Sequence, residues 1–311
     1  MNNTNQKYAS IDIGTNSTLL LTAEYRDGRF HPIRNEVEIT RLGQDVGKTG
    51  QLHPDAVECT FNTLKKYRQI CDECGVKETV IGGTSAMRDA SNGDEFIQRV
   101  QRELDWDIRI LTGDDEARLT FLATRKEFAD LNGDLLVVDI GGGSTEFIFG
   151  DIGGFEFARS LDIGTVRFTE SMIKNDPPDE AELQEASDAI RKQLATELSD
   201  LEISAKETTL IGVAGTVTTL LAVEKEMETY IPEQIHKQHL TLRQIEHLLE
   251  KFCSMPLKQR KRLPGLQPKR ADVIIMGTLI QKEIMDYFGF DRLLVNDRGV
   301  RYGLLYEAKL P

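Results

Sequence analysis

One phrase occurs twice in this chain, and the repetition narrows the folds open to it. Asp12-Ile13-Gly14-Thr15-Asn16-Ser17-Thr18 returns 127 residues later as Asp139-Ile140-Gly141-Gly142-Gly143-Ser144-Thr145. Each copy follows an apolar run (Tyr8 to Ile11; Leu135 to Val138) and leads into another (Leu19 to Ala23; Phe147 to Phe149). That pattern reads as strand, tight glycine turn, strand. A second pair, Glu78 to Gly82 and Thr208 to Gly212, falls at an offset of 130 residues. Two matches nearly in register predict two halves of one architecture, each offering a backbone-lined turn to a shared cleft.

The rest of the chain alternates strands and helices in the same rhythm. Strands are predicted at 7–13, 18–25, 30–41, 78–82, 107–111, 135–140, 146–150, 155–162, 208–213 and 292–296. Helices are predicted at 54–74, 85–89, 93–104, 114–129, 164–174, 179–199, 215–225, 241–253, 270–287 and 299–308. Alternation with buried Val/Ile runs predicts mixed sheets flanked by helices, an α/β class. The pattern restarts near 126–134, which predicts one domain over 1–127 and a second over 128–299. The last helix, about 300–311, is a candidate to cross back onto the first.

Composition excludes several function classes. The 311 residues, 40% hydrophobic and 29% charged, suit a globular protein of two domains. No run of about 18 apolar residues predicts a membrane span. Met1 to Lys7 lacks the apolar middle of a signal peptide, so cytoplasm is the expected location. A net charge of −13 opposes general binding to nucleic acid or acidic membranes. Against that background Lys258, Arg260, Lys261, Arg262, Lys269 and Arg270 cluster around Leu263-Pro264-Gly265-Leu266, either a solvated loop or a local anion collector. Cys71 and Cys74 form one CxxC without a second pair, closing an amphipathic helix, and read as ordinary thiols rather than as zinc or redox chemistry. His236 and His239 read as a solvated stretch.

The turns carry the chemistry. Phosphate oxygens need backbone N–H groups brought close with no Cβ in the way. Gly141, Gly142 and Gly143 with Ser144 offer such a turn, and Gly14 with Asn16 and Ser17 offers its partner. Gly215 and Thr216, at a predicted helix start, add a third donor set. Acids accompany the turns: Asp12 and Asp139 end their strands, and Glu146 follows the second turn. Carboxylates beside phosphate repel it unless a cation intervenes, which points to Mg²⁺ or another oxygen-seeking divalent ion. Glu116 lies near a helix start, where an acid is favourable for structural reasons alone. Arg88 follows a strand end and reads either as a surface arginine or as a fork for phosphate oxygens. Gly43 to Thr49 imitates a P-loop but has three residues between its glycines where four are required, and reads as a polar turn.

Taken together, DIGTNS (12–17), RLG (41–43), GTSAMRDASN (83–92), GDDEARL (113–119), VVDIGGGSTEF (137–147), LDIGTVRFTE (161–170), GVAGTVTTL (212–220), LPGLQPKRAD (263–272) and GVRYGLLYE (299–307) resemble the exopolyphosphatase/guanosine pentaphosphate phosphohydrolase (Ppx/GppA) family in its short, two-domain form. The resemblance implies two actin-like, ribonuclease H-like domains with an active-site cleft between them. It implies hydrolysis of terminal phosphoanhydrides with a divalent cation. By position, Glu116 matches the acid taken to activate water, although Asp115 replaces the glutamate before it. Asp139 and Glu146 match the acids that hold metal or position water. Arg88 and Arg270 match phosphate-binding basic residues, and Asn16 and Ser17 the first loop.

The resulting expectation is an exopolyphosphatase acting on inorganic polyphosphate. A guanosine pentaphosphate phosphohydrolase uses the same loops, so the motifs leave that substrate open. A non-catalytic polyphosphate or alarmone sensor, or a phosphotransferase with an adenosine pocket near Gly212 to Thr219, are further alternatives. A homodimer is also left open.

Overall fold

The structure is a computed structural model that describes residues 6–308. Its contacts divide the chain into two compact units, one of residues up to Phe128 together with those from Gly299 onward, the other of Ala129–Arg298.

The first unit opens with a three-stranded meander, β1 (Lys7–Ile13), β2 (Thr18–Arg26) and β3 (Arg29–Glu38). A short helix α1 (Val46–Thr49) precedes the long α2 (Pro54–Cys74). Pro54 at the first position and Gly75 in the left-handed conformation after the last set the limits of α2. Its apolar stripe of Phe61, Leu64, Tyr67 and Cys71 is buried in the core with Ile11, Ile13 and Leu20 of the sheet. Then come β4 (Glu78–Gly83), α3 (Ser85–Asp89), α4 (Gly93–Leu104), the two-residue β5 (Arg109–Ile110) and α5 (Gly113–Glu127). The sheet order is β3-β2-β1-β4-β5, with β4 parallel to both β1 and β5.

The second unit begins again with a meander, β6 (Asp134–Ile140), β7 (Thr145–Asp151) and β8 (Gly154–Leu161). Helices α6 (Thr165–Met172) and α7 (Glu180–Glu197) lead to β9 (Thr208–Val213) and α8 (Ala214–Glu224). The remainder is β10 (His239–Thr241), α9 (Leu242–Cys253), α10 (Leu257–Arg260), α11 (Ile274–Phe288) and β11 (Arg292–Asn296). Read inward from β8, the order β8-β7-β6-β9-β11 repeats that of the first unit, with the same parallel and antiparallel senses; β10 is an added edge. The apolar α8 and α11 run through one large core with Val138, Phe147, Leu210 and Val295. The last helix, α12 (Val300–Glu307), packs in the first unit, where Tyr302 and Leu305 join Tyr8, Leu21 and Phe30, and Val300 and Leu304 join Leu111 and Leu119.

The α/β class holds, with mixed sheets flanked by helices. Local differences from the sequence reading have simple causes. α1 and α10 are single turns and β10 a three-residue edge, too short for periodicity to register. The strand expected over 107–111 pairs at only two residues. α11 starts at Ile274 rather than 270, because Pro268–Arg270 forms a 3₁₀ turn first. Among the described residues, no helix is long and apolar enough to cross a membrane.

One member of the basic cluster is not an anion collector. Arg260 is 4% exposed, donating to Asp176 (2.8 Å) and to the carbonyls of Ala271 (3.1 Å) and Met255 (2.7 Å). It ties the ends of the loop together, whereas Lys258, Lys261 and Arg262 beside it are exposed. Arg260→Met should lower stability by about 2–4 kcal/mol, because it strands buried carbonyls and removes the cation that Asp176 pairs with. Lys261→Met should change melting little. Equal thermal shifts for the two variants would show that Arg260 does not hold the loop.

Candidate active site

In the first unit the repeated phrase forms the hairpin between β1 and β2. Gly14 N–H donates to the Ser17 carbonyl (2.9 Å), closing the turn. The turn's own carbonyls point backward: Asn16 O accepts from Thr40 (3.1 Å) and Arg41 (3.0 Å), and Thr15 O accepts from Gly43 (2.9 Å). Among the described residues, the amides of Asn16 and Ser17 donate to nothing. The segment read as a false P-loop thus begins by bracing the first turn from behind. Asp12, just before it, has one buried carboxylate oxygen, Oδ1, without a partner among the described residues. Burial pushes its pKa from 3.8 up to about 6, against the opposing pull of the Arg301 guanidinium.

The parallel pairing of β4 with β5 sets Gly83 beside Ile110, so that the starts of α3 and α5 lie side by side. Arg88 on α3 therefore reaches α5: its Nη1 donates to the Leu111 carbonyl (2.7 Å) and to Glu116 Oε1 (2.9 Å). Two candidates 28 residues apart become one ion pair, both partners partly shielded from solvent. The neighbouring Asp115 serves the fold. It completes a capping box with Thr112 and accepts from Arg109 (2.6 Å), which together hold its carboxyl below the ordinary range despite partial burial. Shorter by one methylene than the expected glutamate, Asp115 suits that cap.

The second unit repeats the hairpin. Gly141 N–H donates to Ser144 O (2.9 Å), while the carbonyls of Gly141, Gly142 and Gly143 accept from Thr165 (3.0 Å), Val166 (2.9 Å) and Arg167 Nε (2.8 Å). Gly164 lies so close behind the turn that a Cβ there would sit 2.4 Å from Gly142 O. With the carbonyls held back, the amides of Gly142, Gly143 and Ser144 donate to nothing among the described residues. That is the arrangement an anion nest requires. Asp139 and Glu146 stand directly opposite each other on β6 and β7. Ser144 and Ser160 hydroxyls both donate to Glu146 Oε1, at 2.6 and 2.9 Å.

The third donor set is also in the second unit. α8 begins at Ala214, whose φ of 64° is left-handed, after Val213, which has no side chain able to cap. Gly215 and Thr216 therefore open the helix without a side-chain cap. The basic loop delivers Arg270 onto this helix start: a Cβ on Gly215 would lie 1.8 Å from Arg270 Nη1. Desolvation lowers the guanidinium's pKa, and no carboxylate pairs with it among the described residues. A desolvated cation over an uncapped helix start is chemically suited to an anion.

The structure places the predicted residues in two groups. Asp12, Gly14, Asn16, Ser17, Arg88 and Glu116 belong to the first unit; Asp139, Gly141 to Ser144, Glu146, Gly215, Thr216 and Arg270 to the second. Two residues were missed. Arg301 acts on Asp12 from α12, and Ser160 binds Glu146 from β8. Arg301 is 6% exposed and donates to Asn35; an arginine in an apolar helical pattern was the available signal. Among the described residues, no group of three or more His, Cys, Asp or Glu gathers to hold a metal. The CxxC thiols are free, and burial pushes Cys71 up to about 11, as suits ordinary thiols.

A strand order used twice, with a backbone-lined turn in each copy, defines a duplicated α/β protein. The chain belongs to the Ppx/GppA phosphatase family, whose model matches residues 21–310. Exopolyphosphatase 2 of Mycobacterium tuberculosis is 32% identical over 96% of this chain and 97% of its own. A bifunctional 3-dehydroquinate synthase/phosphatase of Fusobacterium nucleatum is 42% identical over 96% of this chain, which spans only 46% of that longer protein. Among solved structures, the Aquifex aeolicus family member has a TM-score of 0.84 at 35% identity, covering 98% of each chain. An exopolyphosphatase from Cytophaga hutchinsonii has 0.88 at 26% identity, covering 97% of each.

The state of Asp12 has a measurable consequence. Its raised pKa means that ionisation costs free energy only in the folded chain, so stability is full below about pH 4 and falls as pH rises through 6. In metal-free buffer Asp12→Asn should gain on the parent by up to about 3 kcal/mol between pH 4 and pH 7. Melting curves at the two pH values measure it. No relative gain at pH 7 would show that Asp12 is not desolvated.

Proposed function

We propose that this phosphoanhydride hydrolase releases orthophosphate from the end of inorganic polyphosphate. Arg270 carries the reading. A desolvated guanidinium lying on an uncapped helix start, with no carboxylate paired to it among the described residues, suits a ligand whose negative charge is delocalised over oxygen. The exposed Lys261, Arg262 and Lys269 on the same loop extend positive charge along a polymer rather than around one small anion. The similarity to a mycobacterial exopolyphosphatase over nearly the full length of both chains points the same way.

In this reading the amides of Gly142, Gly143 and Ser144 in the second unit hold oxygens of the terminal phosphoryl group. Arg270 and the start of α8 take charge that moves to the leaving oxygen. Glu116 orients water and accepts its proton as the new P–O bond forms and the bridging P–O bond breaks. Arg88 fixes the Glu116 carboxylate for that task. In the second unit the facing carboxylates of Asp139 and Glu146 are oxygen donors of the kind a hard divalent cation takes. Mg²⁺ held there would offset charge on the phosphates.

Glu116→Gln should cut kcat for phosphate release by about 10²–10⁴ with unchanged melting; turnover near that of the parent removes the assignment. Gly215→Ala should displace Arg270 and raise KM about tenfold or more. The substrate is decided by phosphate release from a ladder of polyphosphates and from guanosine pentaphosphate, at equal phosphate, with and without Mg²⁺. Long polyphosphate should show the higher kcat/KM. Preference for the guanosine nucleotide would overturn the reading.

A further inference from the structure

The internal repeat supplies a control for what each hairpin position is needed for. In the first unit the ladder runs Asp12, Leu19 and Val37 across β1, β2 and β3. In the second, the equivalent positions on β6, β7 and β8 are Asp139, Glu146 and Ser160. Strand order, register and turn closure are the same in both, so the fold does not require a hydroxyl at the third position. Val37 fills it in the first unit, where an apolar Leu19 stands beside it. Ser160 occurs in the copy where the second position is an acid, and it spends its hydroxyl on that acid.

The geometry is specific. Ser160 Oγ donates to Glu146 Oε1 at 2.9 Å, and Ser144 Oγ donates to the same oxygen at 2.6 Å. Ser144 belongs to the glycine turn and Ser160 to the neighbouring strand, so the two donors approach from different elements. A carboxylate held by one hydroxyl can still pivot about that bond; two donors on one oxygen fix its rotation. Ser160 itself is exposed and adds nothing to the core.

We propose that Ser160 is a positioning residue for Glu146, a role not assigned to it by any motif of the chain. It acts through the carboxylate and does not touch the substrate. The proposal rests on the assignment of Glu146 to the reaction made above, and the experiment separates the two.

Ser160→Ala and Ser160→Val should each lower kcat for polyphosphate about tenfold or more, with KM within twofold and melting unchanged. Ser160→Thr, which keeps the hydroxyl, should recover most of the loss. In a Glu146→Gln background Ser160→Ala should cost little more, because the carboxylate it positions is gone. Crystals of Ser160→Ala should show the Glu146 side chain displaced from its place beside Ser144. If Glu146→Gln is impaired but Ser160→Ala is as active as the parent, the positioning role is wrong and the assignment of Glu146 stands. If Glu146→Gln is itself fully active, the assignment fails and the proposal with it. Losses that add in the double variant would assign Ser160 a separate role and overturn the proposal too.

Discussion

The arrangement on which the rest depends is a hairpin turn pinned from behind. A two-stranded turn normally leaves its carbonyls and amides to water. Here the chain leaving the third strand of each meander returns to take up the carbonyls: Thr40, Arg41 and Gly43 in one unit, Thr165, Val166 and Arg167 in the other. With the acceptors satisfied on one side, the amides on the other donate to nothing among the described residues, the condition an anion nest requires. Gly164 shows how close the approach is, since any side chain there would collide with the turn it supports. The site is therefore built of backbone and needs only small residues in place.

Side chains then make the two copies different. The first unit surrounds its turn with a desolvated Asp12, a buried Arg301 and the Arg88–Glu116 pair. The second carries two facing carboxylates, of which Glu146 is held by two hydroxyls, and an arginine laid on a helix start. Duplication supplies matching backbone; divergence divides the chemistry. The acid-rich composition does not prevent a polyanionic substrate, because local arginine placement decides the field near a turn while net charge decides the far field. Buried arginines also serve structure, and Arg260 is the instance here: its charge is consumed by Asp176 and by carbonyls.

Much of this was legible in the linear chain. The twin DIG phrases marked both hairpins, and alternation of apolar runs located the longer strands and helices to within a few residues. Short pieces escaped, because α1, α10 and β10 are below the length at which a period can be counted. For Glu116 the residues alone favoured a helix-start acid, and only the family resemblance read it as reactive. Only the adjacency of β4 and β5, set by hydrogen bonds between distant segments, brought Arg88 to it. Arg270 stood out among six cations only by the resemblance, and the fold then carried it onto Gly215.

The sequence by itself determined the duplicated α/β architecture, the two glycine turns and the family, because periodicity, turn chemistry and motif spacing are local properties of a chain. The tertiary structure alone decided which charges are paired and which are held ready. It separated Arg260 from Arg270, joined Arg88 to Glu116, and seated Ser160 beside Glu146. Pairing and desolvation depend on distances between residues far apart in sequence, and those distances exist only once the sheets have formed.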